Sequence, residues 1–469
     1  MRFQIHDVSF ALTDARTRLP FRFGVSTLTA APVLTARVDV RGEGSEASGF
    51  AADLLVPKWF EKDPAKSVAD DVRTLLDSAR AAASALLRPR DDDTAFGHWY
   101  ALYRERVLAR HREAPDALVR GFGVALLERA MIDAVCRAAG VSFFEAVATD
   151  RLGFEGGRIY PEVKDLDLAP LGAPAERLAV RHTIGLLDPL RAAELEGDGD
   201  GLPRALEEDI ARYGLTRFKL KVAGHEEADV ARVVEVARVV RERVGDEARF
   251  SLDGNEQFED LDGLARLLDG AVADADGRWL LERVVWIEQP LRRELTFDRD
   301  RHRALDVVTA VAPLTIDEAD TGFDSFRNAF SIGYRGVSVK NCKGVFRALV
   351  NRGLCEHYGD EAFLTAEDLT NLPVTALHQD LATMAALGLT SVERNGHHYF
   401  RGLDHLPPEE AEAALAAHPD LYVRDGSVVR LRIEGGELSI ASLAAAGYGT
   451  SLAPSLDART PIDEWALRA

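Results

Sequence analysis

Lysines and carboxylates recur in this 469-residue chain at intervals that suit chemistry at a single place. Lys219 and Lys221 flank Leu220 in RFKLKV, Asp253 and Asn255 close RFSLDGN, and Glu288 lies in VVWIEQP. Asp317 and Glu318 follow in LTIDEAD, and Lys340, with Lys343 close behind, in GVSVKNCKG. From Lys221 the steps to Asp253, Glu288, Asp317 and Lys340 are 32, 35, 29 and 23 residues, each compatible with one strand-and-helix unit. Alternate positions on a strand share a face, so both ammonium groups of the Lys-Leu-Lys run point the same way. Three carboxylates converging in a partly buried pocket repel one another and shift in pKa unless a cation neutralises them. Oxygen-only ligands on a rigid frame suit Mg²⁺. A substrate carboxylate completing the shell of that ion has its α-proton acidified, because metal and ammonium groups stabilise the enediolate left behind. Lysine then serves as the base. A free lysine titrates near ~10.4 and a working base needs about 7 to 8, and crowding Lys221 against Lys219 and a metal ion pushes it that way.

The elements that must position these residues are legible as eight short apolar runs. LAVRHTIGL opens the series, the five runs above carry it on with RFKLKV first, and AFLTAED and SVERNGHH end it. Amphipathic stretches such as EEADVARVVEVARVVRERVG separate them at a period of about thirty residues. Eight such units over roughly 250 residues predict an α/β chain with a (β/α)8-type TIM barrel across 177–425, whose active site lies where the strands end. A doubly wound open sheet is the alternative, but no GxGxxG or GxxxxGK[ST] follows the first strands. Upstream, residues 2–57 read as strands with turns and 60–140 as helices. The clearest helix is Ala117 to Gly140, with apolar residues at three- and four-residue spacing and a glycine suited to the C-cap. Arg88 to Phe96 is a charge-rich break read as an exposed loop.

Composition narrows the function classes. With 46% hydrophobic residues the chain can bury a large core, and its formal net charge of -20 repels nucleic acid and anionic lipid. Cys136, Cys342 and Cys355 have no metal-ligand or CxxC spacing, which fits a reducing compartment. The N-terminus alternates like a strand, and no apolar stretch is long enough to span a bilayer, so a cytoplasmic protein without membrane or nucleic-acid partners is expected.

Taken in order, these motifs resemble the enolase superfamily, and within it the muconate-lactonizing-enzyme-like subgroup of the mandelate racemase and muconate lactonizing enzyme family. FKLKV is similar to that subgroup's KxK strand, LDGN to its DxN strand, WIEQP to its EQP strand, IDEAD to its DE[SA] strand, and VKNCKG to its sixth-strand lysine. LPFRFGVSTLTAAPVLTARVDV resembles the specificity loop and first strands of the family's cap, and GGELSIASLAAAGYG the segment that completes it. The resemblance therefore implies an α+β capping domain built from residues 1–150 and from the returning segment 426–469. It implies Mg²⁺, replaceable by Mn²⁺, on Asp253, Glu288 and Asp317. Lys221 and Lys340 become acid/base residues on opposite faces of a small-molecule carboxylate, with Lys219 as enolate stabiliser. Asn255, Glu318 and Lys343 become supporting groups. Glu318 directly follows Asp317, so on a regular strand it points away.

For the rest of the substrate, Arg22 and Phe23 of the N-terminal loop, Glu367 at the seventh strand, and Arg394 and His397 at the eighth are the candidates. Asp368 reads as well as an N-cap, and of the adjacent His397 and His398 one is structural. The family's dipeptide epimerases carry Asp-x-Asp at the eighth strand, where this chain has Glu393-Arg394-Asn395, which argues against an ordinary dipeptide. Lysines on both the second and sixth strands point to 1,1-proton transfer, a racemase or epimerase. Cycloisomerisation and β-elimination share the enediolate, and a non-catalytic metal-binding scaffold is the distant alternative. A homo-oligomer is expected, with the charged stretch 88–115 as a contact.

Overall fold

A computed structural model of the protein describes residues 1–42, 44–89, 91, 93–109 and 116–466. The chain starts as an antiparallel meander: β1 (Gln4–Phe23), β2 (Ser26–Gly42) and β3 (Ser45–Leu54), paired in that order. β1 and β2 run to the hairpin tip, where Phe23 pairs with Ser26 across a two-residue turn. Gly24 takes φ +46° there, a left-handed conformation that tight hairpin turns require. Pro20 does not break β1, because the register shifts between Arg16 and Phe21 and the bulge takes up the missing donor. The tip is therefore an ordered hairpin.

Two helices pack on this sheet. Val68–Leu86 starts with a capping box between Ser67 and Asp70, and Ala117–Ala139 ends on Gly140 at φ +64°, as its sequence predicts. Of the charged stretch 88–115, residues 90, 92 and 110–115 lie outside the described residues, while Ala95–Tyr103 is helical. No helix among the described residues is long and apolar enough to cross a membrane.

The eight apolar runs form eight parallel strands among the described residues. They are β4 (Arg177–Ile184), β5 (Arg217–Lys221), β6 (Arg249–Asp253), β7 (Val284–Glu288), β8 (Leu314–Ile316), β9 (Gly336–Val339), β10 (Phe363–Ala366) and β11 (Ser391–Arg394). Each pairs with the next, and β11 pairs back onto β4 to close the ring. Phe218, Leu220, Phe250 and Leu252 are buried against the surrounding helices, whereas the residues alternating with them face inward and are polar. Arg181 lies across the Trp286 ring at 4.5 Å, and Ser251, Thr315, Ser338 and Thr365 share this interior. Near the C-terminus, Glu437–Ser439 pairs with the start of β4, and Thr460–Pro461 returns to pair with Leu12 and Ala11 of β1.

Glu128, on the helix Ala117–Ala139, ties the first region to the barrel. Its Oε1 accepts the Phe346 N–H at 2.6 Å, at the start of the helix that follows β9. Burial pushes its carboxyl up to about 8. The folded protein thus holds a proton that the unfolded chain releases above about 4.5, so this group's stabilisation is full below that pH and is lost as pH rises toward 8, at about 1.4 kcal/mol per unit. Glu128→Gln should accordingly melt higher than the parent at pH 8 and lose that advantage near pH 5. A melting-temperature difference that stays flat between those values would show that Glu128 is ionised in the fold.

Candidate active site at the barrel mouth

Strand register brings the chemistry together. Lys221, Asp253 and Glu288 stand side by side on β5, β6 and β7, and Asp317 lies just past the end of β8. The turn after β6 is tight: Asn255 and Glu256 take φ +39° and +68°, and a Cβ on Gly254 would approach the Pro290 Cα to 2.7 Å. Glycine is thus required in LDGN for close packing, and the strained turn aims the Asn255 N–H at Asp253 Oδ1, 2.8 Å away. Gln289 joins β7 to the end of β8. Its Oε1 accepts from the N–H groups of Asp317 (2.8 Å) and Ala319 (3.1 Å), while Nε2 donates to the Leu291 carbonyl and Thr296 Oγ1. Asp317 is fixed further by Lys343, whose Nζ donates to the Asp317 carbonyl at 2.7 Å and lies 3.0 Å from Oδ1.

Charge is densely paired here. Lys219 Nζ sits 2.9 Å from Asp253, 2.7 Å from Glu288, 2.7 Å from Glu367 and 3.0 Å from Glu393. Burial alone would lower its pKa, but these carboxylates prevail and hold it well above the usual lysine value. Lys221 Nζ is 2.5 Å from Asp253 Oδ2, and Lys340 Nζ 2.6 Å from Asp317 Oδ2. Against the penalty of burial, Asp317 raises the pKa of Lys340, while Lys340 and Lys343 hold Asp317 well below the carboxylate range. Glu288 is driven well above that range by burial and by Asp253 and Glu367. The carboxylates therefore crowd beyond what the lysines relieve at Glu288, whose Oε2 meets the Lys219 ammonium at 2.7 Å, and Asn255 Oδ1 and Glu318 Oε2 are buried without accepting a hydrogen bond. The three carboxylates are oxygen-only donors of the kind a hard divalent cation such as Mg²⁺ takes. Each is now held by a lysine and their oxygens do not all come within 4.8 Å of one another, so binding an ion would require them to draw together.

The supporting residues divide. Glu318 turns from Asp317's side toward Asn255 Nδ2 (3.3 Å) and Lys62 (3.9 Å). Glu367 reaches the barrel interior, bridging Arg181 and Lys219 at 2.7 Å each. It positions Lys219. Phe23 lines the mouth, but Arg22, one residue before it on the strand, points to the other side and donates to Thr27. Phe21 takes the place expected of Arg22. Arg394 also faces away from the barrel interior, held by Asp368 (3.1 Å) and by Asp380. The Arg394 guanidinium is thus taken up by these two carboxylates. Asp368 caps its own turn, accepting the Asn371 N–H at 2.8 Å.

His397 and His398 lie on a helical turn, Gly396–Tyr399, so strand alternation does not apply to them. Both join His182 and Asp209 behind the barrel wall. Burial lowers His182 to about 4 and takes His397 well below its usual value. At Asp209, burial opposes ionisation, but His398 and His182 outweigh it and hold the carboxyl at about 2.

Sequence reasoning missed several participants. Glu393, the last inward residue of β11, accepts from Lys219 and from Thr183 Oγ1 (2.7 Å), and its place as the charged end of the eighth run was the available signal. Trp59, from the loop after β3, lies under Lys340 with its ring centre 4.4 Å from Nζ. Arg293 grips Glu256 with two 2.8 Å hydrogen bonds and donates to the carbonyls of Trp59 and Phe60 at 2.9 Å, which fixes that loop over the barrel. The cavity between this loop, Phe21, Phe23, Lys221 and Lys340 is open to solvent and about 20 Å³, room for a water molecule.

The family profile described as enolase C-terminal domain-like matches residues 202–437, half of the chain. No curated protein matches the sequence. Among solved structures, a dipeptide epimerase from Enterococcus faecalis complexed with Mg and the dipeptide L-Leu-L-Tyr superposes with a TM-score of 0.61 at 15% identity, over 95% of this chain and 99% of its own. An enolase from Bradyrhizobium complexed with magnesium and mandelic acid gives 0.61 at 15% over 98% of each chain. A 2-chloromuconate cycloisomerase from Rhodococcus opacus gives 0.63 at 17%, over 96% of this chain and 97% of its own. At these identities the likeness is one of fold, and the profile supplies the kinship. Its match covers the strands β5 to β11, whose ends carry the lysines and carboxylates of the mouth, and the chain belongs to the enolase superfamily, among its mandelate racemase and muconate-lactonizing-enzyme-like members.

Proposed function

We propose that this protein is a Mg²⁺-dependent racemase or epimerase that removes and returns the proton α to a substrate carboxylate. The observation that carries this reading is the placement of Lys221 and Lys340 at the ends of the second and sixth of eight ring strands, half a ring apart, with Asp253, Glu288 and Asp317 on the strands between. Asp253, Glu288 and Asp317 would hold the metal, with Mn²⁺ as a substitute, and the bound ion supplies the positive charge that binds and acidifies the substrate carboxylate. Lys221 takes the proton from one face and Lys340 returns one to the other, or the reverse for the opposite enantiomer. Lys219, kept protonated by its four carboxylate neighbours, donates to the enediolate oxygen. Glu367 and Glu393 keep its ammonium aimed at that oxygen.

The far part of the substrate meets Phe21, Phe23, Val56, Trp59 and Leu369. Asn255, Asp368, Thr370 and Asn395 line the same pocket, so the walls suit an apolar or aromatic group that also carries a hydrogen-bonding function. The hairpin tip carrying Phe21 and Phe23 borders this pocket, and its opening would admit a substrate and its closing exclude water.

Incubating the Mg²⁺-loaded enzyme with a library of chiral carboxylates in D₂O tests this, with α-deuterium read by mass spectrometry and configuration by chiral chromatography. Deuterium should enter both enantiomers of an acid whose apolar or aromatic side chain also carries a hydrogen-bonding function. Turnover to a lactone or an alkene in place of exchange would assign a cycloisomerase or a dehydratase. A folded, metal-loaded protein that exchanges nothing across the library would refute the proposed chemistry.

A further inference from the structure

A second group of ionisable side chains closes the seam between the first and last barrel strands from behind. His182 lies on β4 between Arg181 and Thr183, whose side chains contact the interior residues Glu367 and Glu393, so its imidazole faces the helices outside the ring. Asp209 projects from the helix Leu206–Tyr213, and His397 follows β11. One ligand atom of each of these three lies within 4.8 Å of the other two. His182 Nδ1 is 3.0 Å from His397 Nε2, and His182 Nε2 is 3.9 Å from Asp209 Oδ2. Asp209 is fully buried, yet neither of its oxygens accepts a hydrogen bond, and His397 Nδ1 is likewise unpartnered. His398 Nδ1 approaches Asp209 Oδ2 to 2.8 Å, but off the direction in which that nitrogen's hydrogen would point. His398, whose pKa Asp209 raises against the penalty of burial, is thus the carboxylate's present counter-ion, and a metal ion would take its place.

We propose that His182, Asp209 and His397 bind one borderline transition-metal ion, zinc being the type, at a structural site separate from the mouth. Two imidazoles and a carboxylate match zinc, whereas Mg²⁺ prefers oxygen alone. The 3.0 Å contact, a hydrogen bond, uses His182 Nδ1 and the 3.9 Å contact uses His182 Nε2, so one ion can take only one of the two nitrogens. Ligand atoms now within 4.8 Å must draw in to the roughly 3.4 Å spacing of tetrahedral zinc. His397 is half-buried, and a cavity of about 20 Å³ bordered by it, Leu202 and Tyr213 has room for the water that would complete the shell. The ion ties β4 to the turn after β11, where the ring closes. That turn also carries the hairpin tip: Arg18 donates to the His398 carbonyl at 2.6 Å, and Phe21 stacks on Tyr399 at 4.1 Å. Zinc here would fix the platform against which the tip closes.

The test uses full-length protein in excess MgCl₂, which occupies the mouth, with one added equivalent of ZnCl₂ and metal content read after desalting. One zinc per chain should remain, also in Asp253→Asn, and should be lost in His182→Gln and in His397→Gln. Zinc should raise the melting temperature of the parent and not of the histidine variants. Because those variants can fail to fold, anomalous scattering at the zinc edge from crystals of the parent protein decides the location independently. A peak between His182, Asp209 and His397 upholds the site. Zinc found only among Asp253, Glu288 and Asp317, or no zinc retained, overturns it.

Discussion

Lys221→Ala and Lys340→Ala should each abolish racemisation while leaving α-hydrogen exchange on opposite enantiomers. If the two lysines flank the α-carbon, each removes the proton of only one enantiomer, and the surviving base still exchanges that hydrogen with D₂O. Loss of a positioned base costs about 10²–10⁴-fold, so racemisation should fall by that factor in both variants while one half-reaction persists in each. Folding is not expected to account for the loss. Without Lys340, Asp317 keeps Lys343 at 3.0 Å, and without Lys221, Asp253 keeps Lys219 at 2.9 Å. Exchange of the same enantiomer by both variants would mean that the lysines share a face, and the racemase reading would have to be abandoned. If one substitution instead spared most turnover, only one face needs a base, and the enzyme is a cycloisomerase or eliminates.

The second large effect concerns the carboxylates. Exhaustive chelation should silence the enzyme, and Mg²⁺ or Mn²⁺ should restore it, because the charge that stabilises the enediolate is worth several kcal/mol. Asp253→Asn and Asp317→Asn should each lower turnover by about 10³-fold or more and weaken metal binding in calorimetry. Asp253 also pairs with Lys219 and Lys221, so its replacement is best judged beside Asp317→Asn, which leaves those two contacts in place. Full activity in protein verified free of metal would rule out the mechanism.

The barrel was legible because seven of its eight strands, β5 to β11, are short and end at or beside a charged residue that meets the mouth. RFKLK and RFSLD show both signals in five residues. Strand alternation also sets Glu318 apart from Asp317. The same rule, applied evenly, would have turned Arg394 away from the mouth, since Glu393 before it points in. It would likewise have favoured Phe21 and Phe23 over Arg22. Trp59, Lys62 and Arg293 could not be read this way. They meet because the loop after β3 folds across the barrel, a contact between segments more than 200 residues apart that no local period encodes. His182 is hidden for a related reason: an imidazole on the helix-facing side of β4 acquires its partners only when the ring closes.

The polar barrel interior has a consequence for engineering. A barrel of this kind ordinarily fills its centre with branched aliphatic side chains. This one places Arg181, Lys219, Glu367 and Glu393 there, desolvated and dependent on one another. Its cohesion must then come from the annulus between strands and helices, while the centre contributes little and punishes any single loss of a partner. Replacing the whole set by well-packed aliphatic residues would raise the melting temperature and leave nothing to hold an enediolate. A library screened for heat resistance alone would therefore drift toward robust, inert barrels, and every round of such a screen needs activity as a second filter.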